Sequence, residues 1–198
     1  MLLDNADCEI IKQRLEESIS VKKEILSQPK LLDTILQLAE ETTNVLKNGG
    51  KILICGNGGS ASDALHIAGE LVGKFQIERK GYTAIALNAD VATMTAISND
   101  YGYESVFSKQ VEALMTKDDL LIGLSTSGNS GNVIRAFEKA CEIGGKTAIL
   151  TGKDGGKLDR MADYSIVVPS DVTARIQEIH MCIYHIICEI VERRMENE

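Results

Sequence analysis

The stretch Lys51-Ile52-Leu53-Ile54-Cys55-Gly56-Asn57-Gly58-Gly59-Ser60 decides the fold. An apolar run leads into a loop of small residues, and a helical pattern over 61–75 follows. Strand, small-residue loop, helix is the arrangement that receives anions. The first N–H groups of a helix have no intrahelical partner and carry positive partial charge. Glycines let a phosphate approach the backbone, and hydroxyls add donors. The arrangement recurs at Ser125-Thr126-Ser127-Gly128-Asn129-Ser130, which follows an apolar run over 120–124 and precedes a helical pattern over 132–143. Neither loop has the Lys-Ser/Thr ending of a Walker loop, and neither completes G-x-G-x-x-G. The ligand expected is a phosphorylated small molecule rather than a nucleoside triphosphate or NAD.

Outward from these loops, short apolar runs alternate with helical segments. The pattern predicts strands over 51–55, 83–87, 120–124, 147–151 and 165–168. It predicts helices over 61–75, 90–98, 103–115, 132–143 and 172–194. Strands apolar throughout and spaced by helices indicate an α/β fold, a doubly wound parallel five-stranded sheet flanked by helices. In such folds ligands bind beyond the carboxyl ends of the strands, where both loops lie. No repeat or linker divides the chain, so residues 1–198 read as one domain, with a helical extension over 1–50 and an α/β core over 51–198.

The extension reads as two helices. Leu3, Ile10, Ile11, Leu15, Ile19 and Leu26 mark one apolar stripe, and Pro29 interrupts it. Leu31, Leu32, Ile35, Leu38, Val45 and Leu46 mark the second helix, ended by Asn48-Gly49-Gly50. The C-terminal segment is apolar over much of its surface, through Ile176, Ile179, Met181, Ile183, Ile186, Ile187, Ile190 and Val191. A helix apolar nearly all round is buried on more than one side, either within the subunit or, the favoured reading, at an interface between subunits.

Composition narrows the function classes. Of 198 residues, 44% are hydrophobic and 25% charged, as in an ordinary globular protein. The net charge of -8 argues against nucleic-acid binding driven by phosphate contacts. No apolar run has the length of a membrane span, and residues 1–17 are acidic and amphipathic, unlike a signal peptide. Five scattered cysteines without a C-x-x-C read as reduced thiols used as small core hydrophobes, which places the chain in the cytoplasm.

His66 and Glu70 lie four apart on the helix that opens from the first loop, on one face and one turn apart. A histidine and a carboxylate so placed serve as acid and base or bind a metal; the plain alternative is a surface pair. The other two histidines, His180 and His185, are five apart on the last helix and face different directions. Helix geometry does not choose between them, and it sets Glu178 nearer the face of His185 than Gln177. The polar Arg175-Ile176-Gln177-Glu178 is also compatible with an ordinary helix start. Asn99-Asp100-Tyr101-Gly102 reads as a turn whose Asp100 could meet sugar hydroxyls. Thr151-Gly152-Lys153-Asp154-Gly155-Gly156 reads as a plain strand-to-helix turn.

Taken together, Cys-Gly-Asn-Gly-Gly-Ser at 55–60, Ser-Thr-Ser-Gly-Asn-Ser at 125–130, Leu-Thr-Gly-Lys-Asp-Gly-Gly at 150–156 and Arg-Ile-Gln-Glu-Ile-His at 175–180 resemble the sugar isomerase (SIS) domain family. The resemblance covers nearly the whole chain and is closest to the phosphoheptose isomerases of that family. It implies substrate contacts from Asn57, Gly58, Gly59, Ser60, Asp100, Ser125, Thr126, Ser127, Ser130 and Gln177, and a catalytic pair, Glu70 and His185. It implies one zinc ion per site, held by His66, Glu70, Gln177 and His185, which selects His185 over His180 and Gln177 over Glu178. Lys74 stands where some members have arginine, so a bidentate contact there is lost. The activity implied is aldose–ketose isomerisation of sedoheptulose 7-phosphate through an enediol or enediolate. The assembly implied is a cytoplasmic homotetramer, and the product's destinations are lipopolysaccharide, capsule or another glycoconjugate. Two other readings compete: a non-enzymatic SIS adaptor that binds the replication initiator, and an isomerase of another sugar phosphate. In the adaptor, the positions of Glu70 and His185 are not kept as Glu and His.

Overall fold

A computed structural model describes residues 5–196. Leu3 of the first stripe lies outside them. Two helices, α1 (Asn5–Leu26) and α2 (Pro29–Lys47), precede the alternating unit. Then come β1 (Ile52–Gly56), α3 (Gly59–Val72), β2 (Ala84–Ala86), α4 (Val91–Tyr101), a 3₁₀ turn (Tyr103–Ser105) and α5 (Val106–Leu114). β3 (Leu120–Ser125), α6 (Gly131–Ile143), β4 (Lys146–Gly152), α7 (Gly156–Asp159), β5 (Tyr164–Val168) and α8 (Thr173–Glu196) complete it. The strands form one sheet in the order β2-β1-β3-β4-β5, and every pairing is parallel.

Successive side chains of a strand face opposite sides of the sheet, and both sides are apolar here. Ile52 and Ile54 of β1, Leu120, Ile122 and Leu124 of β3, and Ala148 and Leu150 of β4 join one core with α2, α3 and α8. Leu53 and Cys55 of β1, Leu121 of β3 and Ile149 of β4 join the other, with α5 and α6. At the start of β1, the buried carboxylate of Asp119 accepts from both the backbone N–H and the Nζ of Lys51 (2.8 and 2.6 Å).

The strand order reverses between β1 and β3. A crevice opens at such a switch point beyond the carboxyl ends of the strands. Gly56 is in register with Leu124, so the loops after β1 and β3 leave the sheet side by side. These are the two glycine- and serine-rich loops.

The structure corrects several boundaries. The turn expected over 99–102 is helical through Tyr101, because Gly102 (φ 85°) provides the left-handed exit and α4 runs up to it. The single helix expected over 103–115 is a 3₁₀ turn followed by α5. α3 starts two residues before the expected 61 and stops at Val72, short of the expected 75. The 151–156 turn leads into a one-turn helix, α7. Ile10, Ile11, Leu15, Ile19 and Leu26 point away from the core, whereas Val21 and Ile25 of α1 pack into it. Cys141 is exposed, so the core-hydrophobe reading holds for Cys55 and Cys188 but not for it. Burial pushes the thiols of Cys55 and Cys188 up to about 12, so both stay protonated.

Candidate active site

Hydrogen bonds from distant residues hold the first loop. Asn88 clamps Gly56 on both sides: its Oδ1 accepts from the Gly56 N–H (3.3 Å) and its Nδ2 donates to the Gly56 carbonyl (2.9 Å). Asn57 forms a reciprocal amide pair with Asn132 at the start of α6 (2.8 and 2.9 Å). Its Oδ1 also accepts from the Tyr103 hydroxyl (2.8 Å). Asn57 therefore ties the first loop to the helix that opens from the second. Gly58, at φ 57°, lets the chain turn into α3, and Ser60 is buried in the first turn.

In the second loop, Ser125 Oγ and Ser130 Oγ hydrogen-bond to each other (2.9 Å). Ser130 is the N-cap residue of α6, yet its side chain does not cap, and Thr126 and Ser127 are half-buried. The third loop supports the second. The Leu158 N–H donates to the Gly128 carbonyl (3.0 Å), and a Cβ on Gly128 would lie 1.9 Å from the Gly155 carbonyl oxygen. Only glycine permits both this approach and the φ of 63° at Gly128.

Further along α3 and α8 three side chains converge. His66 Nε2 lies 2.9 Å from Glu70 Oε1 and 3.4 Å from His185 Nε2. Ligand atoms of His66, Glu70 and His185 all lie within 4.8 Å of one another, and all three residues are half-buried. Burial and the neighbouring His66 hold the His185 imidazole below its ordinary value, against the pull of Glu70. The Phe75 ring stacks on His185 with centroids 5.7 Å apart. Gln177 lies against Gly59 at the N-terminus of α3, where a Cβ would be 2.4 Å from Nε2. His180, by contrast, is fully buried, and its Nε2–H donates to the Thr151 carbonyl (3.1 Å). Glu178 pairs with Arg175 (2.6 Å) and is exposed.

The loop between α3 and β2 is anchored from α8. Glu192 accepts from the N–H groups of Phe75, Gln76 and Ile77 and from Arg79 Nε. The Arg79 guanidinium also donates to the carbonyls of Glu70, Leu71 and Gly73 at the end of α3 (2.9, 3.1 and 2.7 Å). It thus satisfies the orphan carbonyls that a helix C-terminus leaves, with a cation where the dipole favours one. Through Phe75, this buried pair supports His185.

The structure thus brings together His66, Glu70 and His185, with Gln177 at the start of the same helix. It does not draw Asp100 into that cluster: Asp100 is exposed at the end of α4 and accepts from Asn99 (3.0 Å). Lys74 is exposed and pairs with Glu78 (3.0 Å). Sequence reasoning missed Asn88, Asn132, Tyr103, Phe75, Arg79 and Glu192, whose partners are remote in the chain. It also missed Asp63, although Asp63 precedes His66 by three residues on one helix face, a legible signal.

A sheet switch point flanked by two glycine- and serine-rich loops, with a His/Glu/His cluster about two turns along the helix that the first loop opens, is the frame of a phosphosugar-binding α/β protein. A family model described as SIS domain matches residues 16–152. The phosphoheptose isomerase of Helicobacter pylori (strain P12) is 52% identical over 96% of this chain and 97% of its own length. The solved structure of phosphoheptose isomerase GmhA from Neisseria gonorrhoeae superposes with a TM-score of 0.87 at 44% identity, covering 93% of this chain and 97% of that one. A phosphoheptose isomerase structure from Francisella tularensis gives 0.89 at 41% identity, covering 94% and 98%. The chain belongs to the phosphoheptose isomerase family of SIS-domain proteins.

Proposed function

We propose that this crevice converts sedoheptulose 7-phosphate to D-glycero-D-manno-heptose 7-phosphate by aldose–ketose isomerisation. The observation that carries the reading is the convergence of His66, Glu70 and His185 about two helical turns from the loop that opens α3. The positive N-terminal ends of α3 and α6, with Ser60, Ser125, Thr126, Ser127 and Ser130, are suited to the phosphate and sugar oxygens. Asn57, Asp100 and Gln177 are assigned further substrate contacts; for Asn57 the contact uses what its amide pair with Asn132 leaves free.

The reaction moves one carbon-bound proton and leaves the formula unchanged. Glu70 removes a proton from C1 of the ketose, giving the enediol or enediolate, and returns it to C2. His185 is assigned the hydroxyl proton that passes between O1 and O2, and assists ring opening. Glu70 engages His66 through Oε1, and its second oxygen is assigned the carbon-bound proton.

The donor set fits a divalent metal. Two imidazoles and one carboxylate, half-buried and within 4.8 Å of one another, match the ligand types and spacing zinc takes, and the Gln177 amide is the fourth donor assigned. Bound there, zinc would polarise the carbonyl and stabilise negative charge on the enediolate oxygens.

We assign the assembly as a cytoplasmic homotetramer, with residues 1–50 as an assembly extension and 51–198 as the catalytic core. The exposed apolar side chains of α1, together with Met181 and Ile186 of α8, support this. No helix among the described residues is long and apolar enough to cross a membrane. The product would supply activated heptose for lipopolysaccharide, capsule or another glycoconjugate. A non-catalytic adaptor would have no use for the His66–Glu70–His185 cluster. Turnover of sedoheptulose 7-phosphate by the purified protein tests the reading: conversion to the aldose is expected, and binding without conversion would return the protein to the adaptor class. Elemental analysis after purification without chelators tests the metal, with about one zinc per chain expected.

A further inference from the structure

We propose that Tyr184 is a positioning residue that sets which nitrogen of His66 carries the proton, with Asp63 as its alternate hydrogen-bond partner. The inference rests on His66 serving as a metal ligand through Nε2.

A neutral imidazole carries one proton, and each ring nitrogen of His66 has a partner. Nε2 lies 2.9 Å from Glu70 Oε1, and Nδ1 lies 2.9 Å from the Tyr184 hydroxyl. With the proton on Nε2, His66 donates to Glu70 and Tyr184 donates to Nδ1. A metal ligand needs the other tautomer, with the Nε2 lone pair free and the proton on Nδ1. Tyr184 must then accept from Nδ1, and its own proton needs a new acceptor. Asp63 Oδ1 stands 3.4 Å from that hydroxyl. The second oxygen of Asp63 is buried with no partner among the described residues. A hydroxyl donates and accepts through one atom, so this side chain serves both arrangements by turning a single O–H bond. Tyr184 is only 2% exposed and belongs to the same apolar core as Ile67, Leu71 and Ile187, so turning the O–H bond is the smallest motion that exchanges the two arrangements.

The test uses the full chain labelled with ¹⁵N at histidine. There are three histidines, so His66 is assignable by substitution of the others. Metal-free protein is expected to show the His66 proton on Nε2, and zinc-loaded protein on Nδ1. In Tyr184→Phe, zinc affinity measured by competition with a chromophoric chelator should fall roughly 10- to 100-fold, the usual effect of losing a partner behind a metal ligand. In Asp63→Ala, affinity should fall while the metal-free spectrum keeps its Nε2 proton. A His66 proton still on Nε2 in zinc-loaded wild type would overturn the proposal, as would a Tyr184→Phe affinity within twofold of wild type. Should Tyr184→Phe fail to fold, the wild-type spectra decide alone. Wild type that binds no zinc would defeat the ligand reading and the second arrangement with it, while the metal-free spectrum still decides the first.

Discussion

Replacing Glu192 with glutamine changes one oxygen to an NH₂ group, and the structure makes that change costly. Each carboxylate oxygen accepts two bonds: Oε1 from Phe75 N–H and Arg79 Nε, and Oε2 from Gln76 and Ile77 N–H. An amide in either orientation therefore points its NH₂ at two donors. Burial raises the carboxyl's pKa, but these bonds outweigh it and hold the group below the usual carboxylate range, so the native partner is the ion. Both side chains of the Glu192–Arg79 pair are only 1% exposed, so water does not replace the lost acceptor. Two lost bonds to a charged acceptor, at about 1.5–3 kcal/mol each, agree with the roughly 3–5 kcal/mol seen when one partner of a buried pair is removed. That is a large part of a domain stability of about 5–15 kcal/mol. Urea unfolding of wild type, Glu192→Gln and Glu192→Ala at one protein concentration measures it. Glutamine should be nearly as damaging as alanine, and turnover should fall with both, because Phe75 loses its seat on His185. A glutamine variant within about 1 kcal/mol of wild type would refute the reasoning.

Burial lowers His180 from 6.5 to about 4. The unfolded chain therefore binds the proton first on acidification. Stability from neutral His180 is complete above pH 6.5 and is lost as pH falls toward 4, by about 3 kcal/mol. Urea titrations at stepped pH should show that loss in wild type and a shallower one in His180→Leu; parallel slopes would count against it. Gly59→Ala should push the Gln177 amide aside at little cost in stability, because a flexible side-chain end is what the new methyl meets. Zinc retention or substrate affinity should fall while the melting temperature holds, and kinetics identical to wild type would contradict this. Alanine at Ser125, Ser127 and Ser130 together should raise KM through loss of donors to the dianion; unchanged affinity for substrate and inorganic phosphate would show that the anchor lies elsewhere.

The strands were legible because a parallel sheet buried on both faces writes itself as apolar runs, and each observed strand lies within about two residues of its expected bounds. Helix ends were less so: Gly102 was read as part of a turn because nothing local says that Asn99, Asp100 and Tyr101 remain helical before it. His66 and Glu70 were legible because both lie on one helix. Their partners on α8 were not. Helix geometry left His180 and His185 equal, and only the packing of α8 on the sheet turns His180 to the Thr151 carbonyl and His185 to His66. The family resemblance had made the same choice. The bonds from Asn132 to Asn57, Tyr184 to His66 and Glu192 to Gln76 span 75, 118 and 116 residues, and no local pattern encodes a contact at such separation.

Glu70→Gln tests the central claim. The substitution keeps size and shape and removes the base, while the phosphate-binding loops remain. Turnover of sedoheptulose 7-phosphate should fall by at least about 10²-fold. Exchange of the substrate's carbon-bound proton with deuterated water should stop, and substrate should still bind. Zinc content measured on the same sample separates loss of the base from loss of the metal. A variant that keeps its zinc, turns over at near wild-type rate and still exchanges the proton would show that Glu70 is not the base.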